Sequence, residues 1–261
     1  MSRPPVVPKH ALGQHFLVDR NILRVIERLA ELAPDDVVLE VGPGLGVLTT
    51  FLADRVALVH AIEIDRSLDT PLKEALDGRT NVRVIFGDAA RLDPSSLAPP
   101  PTKLVSNLPY NVAAPVVVES LQTLPTVSLW CVMVQREVGE RFFATPGTKA
   151  YGAVSVLLQL STERTAFHAV PRTVFRPKPR VDSVLLAFRR KQQPANFEGV
   201  KHVVQAAFAH RRKTLPNSVE LAGLADRNRT AAALETLGHD PATRAEALFP
   251  DEFAHLAELL T

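Results

Sequence analysis

Two short stretches of the 261-residue chain carry residue types whose spacing suggests chemistry. The first is Glu40-Val-Gly-Pro-Gly-Leu-Gly46, which lies between a strand-like apolar run and a helix-compatible segment. Glycines allow a tight turn and let the main chain approach a ligand closely. Here they stand at 42, 44 and 46 with valine at 47. That spacing is wrong for the Gly-x-Gly-x-x-Gly turn that cradles a pyrophosphate. A plain strand-to-helix turn needs one glycine and leaves the others unexplained. About twenty residues on, the next apolar run ends in Ala61-Ile-Glu-Ile-Asp65, where a carboxylate can accept from both hydroxyls of a ribose. Glu63 is the expected acceptor, because an unpaired carboxylate inside an apolar run is unfavourable. Asp65 reads as the cap of the following helix. One run later comes Gly87-Asp-Ala89, and Asp88 at a strand end can accept from the amino group of an adenine.

The glycine loop resembles the E-x-G-x-G-x-G loop of class I methyltransferases, whose cofactor, S-adenosylmethionine, carries no phosphates. The second stretch is Ser106-Asn-Leu-Pro-Tyr-Asn111. An adenine amine is a poor nucleophile, since its lone pair is delocalised into the ring. Methylating it requires aiming the nitrogen at the methyl group and holding its hydrogens on acceptors. The Asn107 side-chain oxygen and the Leu108 carbonyl can do this, with Pro109 fixing the backbone and Tyr110 stacking on an extruded base. In isolation an Asn-x-Pro turn with a surface tyrosine is the better reading. Following the glycine loop in this order, it is not.

With these motifs in place, the sequence resembles the KsgA (RsmA) family of ribosomal RNA adenine dimethyltransferases over nearly its whole length. Leu12-Gly-Gln-His-Phe-Leu17 is similar to the family's G-Q-N-F-L segment, which closes over the cofactor; His15 stands where asparagine is common. Gln135-Arg-Glu-Val-Gly-Glu-Arg141 and Lys149-Ala-Tyr-Gly152 resemble its Q-[RK]-E-V and K-x-Y-G blocks. Phe175-Arg-Pro-Lys-Pro-Arg-Val-Asp-Ser183 resembles its F-x-P-x-P-x-V-D-S loop. Phe208 to Ser218 resembles its F-x-x-R-R-K-T-L-x-N-S block, with Pro216 where arginine is frequent. The resemblance implies S-adenosylmethionine binding by His15, Leu17, Gly42, Gly44, Glu63, Asp88, Ala89 and Asn107, and release of S-adenosylhomocysteine. It implies base stacking between Tyr110 and Phe175. It also implies transfer of four methyl groups to two adjacent adenosines in a hairpin near the 3′ end of small-subunit rRNA, within an assembling subunit.

The elements that must position these residues follow from apolar periodicity. Residues 37–41, 57–64, 82–86, 103–106 and 129–134 read as strands, alternating with helices over about 19–32, 45–53, 68–75 and 113–121. Short apolar strands alternating with helices predict an α/β fold with a mostly parallel, doubly wound sheet. Strands at 161–169 and 181–189 are expected as an antiparallel pair at its edge. After Lys191 the stretch Gln192-Gln-Pro-Ala-Asn196 looks like a linker, and the remainder is alanine- and leucine-rich at helical spacing. The expected division is a methyltransferase domain over 1–191, with a loose tail at 1–10, and a helical RNA-docking domain over 192–261.

Apolar residues make up 46% and charged residues 22%, enough for a sizeable core, and the net charge of +2 supports a polyanionic partner only weakly. Clustering says more. Arg172, Arg176, Lys178, Arg180, Arg189, Arg190 and Lys191 surround the expected base-binding loop, and Arg211, Arg212 and Lys213 form a second group. Either alone is ordinarily a solvated face; beside the pocket they suggest a groove that tracks phosphates. Cys131, the single cysteine, reads as a buried thiol and fits a reducing cytoplasm. His60 reads as a satisfied core residue. No metal site, membrane span or signal peptide is expected, and a monomer is. The competing readings are an antibiotic-resistance enzyme acting on large-subunit rRNA, and a non-catalytic assembly factor on the same fold. Relatives of the first kind more often carry N-I-P-Y and V-N, where this chain has Asn-Leu-Pro-Tyr and Val181-Asp-Ser.

Overall fold

A computed structural model describes residues 14–109 and 112–260. Leu12, Gly13, Tyr110, Asn111 and the tail expected over 1–10 lie outside the described residues. In chain order the elements are β1 (Phe16–Leu17), α1 (Asn21–Ala30), β2 (Val37–Val41), α2 (Val47–Ala53), β3 (Leu58–Glu63), α3 (Asp69–Ala75), β4 (Val82–Phe86), β5 (Lys103–Asn107), α4 (Ala113–Thr123) and β6 (Leu129–Gln135). There follow α5 (Arg136–Phe142), α6 (Ala153–Ser161), β7 (Thr162–Val170), β8 (Phe175–Arg176), β9 (Ser183–Arg190), α7 (Phe197–Ala209), α8 (Leu215–Leu221), α9 (Arg227–Thr236) and α10 (Pro250–Leu260).

Seven strands form one sheet in the order β4-β3-β2-β5-β6-β9-β7. The first five are parallel, and β9 runs antiparallel to β6. This is the mostly parallel α/β sheet that the alternating runs predict. β2 and β3 are buried at every position, which accounts for their mostly apolar character, interrupted by Glu40, His60 and Glu63. Helix α1 buries Ile22, Leu23, Ile26 and Ala30 in the core that also holds Val105, Cys131, Met133 and Leu185. Asp19 accepts from the Asn21 amide at 2.7 Å at the start of α1.

Strand order reverses between β2 and β5, because the chain runs outward from β2 through β3 to β4 and then returns to β2's other side. Such a reversal opens a crevice beyond the carboxyl ends of the strands. β2 and β5 pair at Val38↔Lys103 and Leu39↔Leu104. Two residues on, the Ser106 hydroxyl ties the strands, donating to the Val41 carbonyl and accepting from the Val41 amide, both at 2.7 Å.

The chain forms two compact units: Met1–Gly139 with Arg164–Arg190, and Glu140–Glu163 with Lys191–Thr261. The second therefore contains more than the stretch after Lys191. Helix α6 buries Val156, Leu157, Leu158 and Leu160, and the Tyr151 hydroxyl donates to the Leu248 carbonyl at 2.8 Å, so this segment packs with the C-terminal helices. Tyr151, Phe208 and Phe253 form an aromatic chain, with centroids 6.0 and 5.7 Å apart. Pro216 sits in the first turn of α8, where a missing N–H leaves no helical bond unmade.

Candidate active site

The glycine loop lies at the end of β2, on the crevice. Gly42, Gly44 and Gly46 all have positive φ, at 76°, 58° and 78°. A Cβ on Gly42 would stand 3.2 Å from the Pro109 ring, and one on Gly44 3.1 Å from the Phe16 ring. The loop thus needs glycine for conformation and for space, which one turn glycine would not explain.

Glu63 ends β3 and is 4% exposed. Its Oε1 accepts from the Asp65 amide at 2.8 Å and its Oε2 from the Gly44 amide at 3.1 Å. Burial raises its pKa above the usual carboxylate range, and the two amide bonds oppose that shift. Glu40 is 1% exposed, and its Oε2 has no hydrogen-bond partner among the described residues. Burial, with the Glu63 charge nearby, pushes its pKa up to about 8. The sequence marks Glu40 only through its place in the loop pattern; an acidic residue among four apolar ones in β2 is the further signal it offers.

Strands β1 and β8 form a short ribbon, with Phe16 opposite Arg176 and Leu17 opposite Phe175. The ribbon straps the crevice from residue to residue. Gln14 Nε2 donates to Asp65 Oδ2 at 2.9 Å, His15 Nδ1 meets the Pro177 carbonyl at 2.7 Å, and Asn107 Nδ2 donates to the His15 carbonyl at 3.3 Å. Where the family commonly has asparagine, the imidazole therefore makes its own bond to the proline loop. Asp65 also caps the turn Arg66–Leu68 through the Ser67 amide, as its position suggested.

These groups converge on one open hollow of about 710 Å³, lined by His15, Leu17, Gly42, Gly44, Glu63, Asn107, Leu108 and Pro109 among others. An adjoining hollow of about 530 Å³ shares Gly42, Glu63, Ile64 and Pro109 with it and adds Asp88 and Ala89. Asp88 keeps a structural duty too, accepting from the Ala90 amide at 3.0 Å. Tyr110 lies outside the described residues. S-Adenosylmethionine fits this donor set: the buried, unpaired Glu40 oxygen and the Glu63 carboxylate match a cation bearing a ribose.

Other expected residues are placed differently. Phe175 is 2% exposed and packs in the core with Leu17, Val174 and Met133, so its ring supports the strap and is not offered to a base. Arg190 is not a surface cation: its guanidinium donates to the carbonyls of Val127, Leu121 and Leu124 at 2.7, 2.9 and 3.0 Å and lies 4.9 Å over Trp130. Arg189 bonds Glu31, and Arg172 lies 3.7 Å from Asp182. Arg176, Lys178 and Arg180 remain exposed. Cys131 is fully buried, and burial raises its pKa. His60 is buried with Nε2 2.8 Å from the Pro99 carbonyl, but its Nδ1 has no partner among the described residues. Among those residues no group of three or more His, Cys, Asp or Glu side chains could hold a metal ion, and no helix is long and apolar enough to cross a membrane.

Residues 8–261 match the family model described as ribosomal RNA adenine dimethylase. A ribosomal RNA small subunit methyltransferase A from Rubrobacter xylanophilus is 48% identical over 250 residues, covering 95% of this chain and 94% of its own. One from Moorella thermoacetica is 43% identical over 269 residues, covering 98% and 93%. Among solved structures, a dimethyladenosine transferase from Plasmodium falciparum superposes with a TM-score of 0.76 at 25% identity, covering 93% of this chain and 96% of its own. The 23S rRNA methyltransferase ErmE gives 0.66 at 32%, covering 94% and 99%. With the glycine loop, its acidic partners and the Asn107 turn gathered at one crevice, and with a family match over nearly every residue, the chain belongs to the ribosomal RNA adenine dimethylase family.

Proposed function

We propose that this protein transfers methyl groups from S-adenosylmethionine to the N6 amines of two adjacent adenosines in a hairpin near the 3′ end of small-subunit rRNA. It acts as a monomer in the cytoplasm, on rRNA within an assembling subunit. The sulfonium supplies an electrophilic methyl group when the cofactor is bound. The chain's own residues do the rest. Glu63 accepts from the ribose hydroxyls, and Asp88 with the Ala89 backbone receives the adenine end. Asn107, held through its Nδ2 by the strap, turns its side-chain oxygen toward the target amine, and the Leu108 carbonyl supplies the second acceptor. Two acceptors on one NH₂ aim its lone pair at the methyl group, and that alignment is the main catalytic contribution. Tyr110 stacks on the extruded base.

The observation that supports this reading is the hydrogen bond from Asn107 to the His15 carbonyl of the strap, with both residues lining the glycine-loop hollow. The test is incubation of purified protein with labelled S-adenosylmethionine and unmethylated small or large ribosomal subunits. Label should enter small-subunit rRNA alone. Label in large subunits would favour the antibiotic-resistance type of activity, and none in either would favour a non-catalytic assembly factor.

A further inference from the structure

Two sequence blocks, Lys149–Gly152 and Phe208–Ser218, meet within the second unit. The turn between α7 and α8 carries Arg211, Arg212 and Lys213, and the buried Ser218 sets it by donating to the Ala206 carbonyl at 2.7 Å and accepting from the His210 amide at 3.1 Å. Arg211 reaches out of this turn to the other block. Its Nη2 donates to the carbonyls of Tyr151 at 2.8 Å and Lys149 at 3.3 Å, and stands 3.7 Å from the Glu246 carboxylate. The Gly147 amide in turn donates to the Glu246 carbonyl at 2.7 Å. Arg211 is therefore committed to backbone acceptors and faces a carboxylate that offsets its charge.

Lys149, Arg212 and Lys213 are different. All three are exposed, and among the described residues none of their side chains has an ion-pair partner. Because Arg211 touches the Lys149 carbonyl, Lys149 stands within one arginine side chain of the turn. The result is a cluster of unpaired cations drawn from two segments far apart in sequence. Exposed cations on flexible stems suit a run of phosphates, which asks for density of charge and little fixed geometry.

We infer that Lys149 belongs to the phosphate-docking surface of the second unit together with Arg212 and Lys213, and that Arg211 is a positioning residue that assembles this surface without contacting RNA. The inference rests on the reading that the second unit docks rRNA. The test measures small-subunit binding against ionic strength, and amide hydrogen exchange over residues 147–151, in the full-length protein. Lys149→Gln should make the log–log salt slope shallower by about 0.7–0.9, as one lost phosphate contact does, with exchange unchanged. Arg212→Gln and Lys213→Gln should behave likewise. Arg211→Lys keeps the charge, but its side chain is one atom shorter than the one whose Nη2 reaches both carbonyls, and it should speed exchange over 147–151. An unchanged slope in Lys149→Gln, with Arg212→Gln and Lys213→Gln shifted, would overturn the inference and leave docking intact. If none of the three shifts the slope, the docking reading itself fails. Wild-type exchange in Arg211→Lys, with a slope loss in Arg211→Gln equal to that of Arg212→Gln, would make Arg211 an RNA contact and refute its positioning role.

Discussion

The crevice at the end of β2 and the turn between α7 and α8 hold their ionisable side chains in opposite ways. In the crevice Glu40 and Glu63 are 1% and 4% exposed, and Glu63 is fixed by two backbone amides. In the turn Arg212 and Lys213 stand in solvent. A small cation with a ribose is recognised by a few buried groups whose positions matter individually. A polyanion is held by many exposed ones that substitute for each other. Single substitutions should therefore have large, specific effects in the crevice and small, additive, salt-sensitive effects in the turn.

The largest effect is expected at Asn107. Asn107→Ala removes the acceptor proposed for the target amine and should lower the single-turnover rate with small subunits about 100-fold or more, because misaiming the nitrogen forfeits alignment. Cofactor affinity by calorimetry should change far less. A near-normal rate would remove Asn107 from the chemistry and blur the comparison. Next comes Glu63. Glu63→Ala should weaken S-adenosylmethionine binding by about 1.5–3 kcal/mol for each charged hydrogen bond lost. Unchanged affinity in a folded variant would move ribose recognition elsewhere.

Glu40 sharpens the comparison through pH. Its folded pKa of about 8 lies above the ordinary carboxylate value of 4.5, so between those values the folded protein binds a proton that the unfolded chain has released. Glu40 thus contributes stability that is full below about pH 4.5 and is lost as pH rises toward 8. Glu40→Gln should flatten that part of the stability curve in urea unfolding of the cofactor-free protein. A curve unchanged by the substitution would mean that Glu40 is solvated. The smallest effect belongs to the turn: replacing Arg212 and Lys213 together with Gln should reduce the salt slope of subunit binding by roughly 1.4–1.8 with cofactor affinity intact.

Much of the crevice was legible because its signals are local. Strand β4 falls at the residues its apolar run predicts, and the glycine spacing, Glu63 and the Asp65 cap each follow from a few neighbouring residues. What was not legible depends on distant partners. No linker composition separates residues 140–163 from what precedes them, and α6 is too short to show which core it joins. The two-residue strands β1 and β8 have no period to detect. Arg190 and Arg211 look in sequence like their neighbours, yet their guanidinium groups are taken up by backbone carbonyls more than 55 residues away. Phe175 lies in a motif expected to meet the base, but its pairing with Leu17 carries it into the core.

The central claim is that one crevice methylates the same amine twice on each of two neighbouring adenosines. The most direct measurement is the yield and identity of product nucleosides after exhaustive reaction of unmethylated small subunits, digested and separated by mass. The account predicts N6,N6-dimethyladenosine as the end product, with methyl transfer saturating at four per subunit. Saturation at two as N6-methyladenosine, or methylation of any position other than N6, would contradict it.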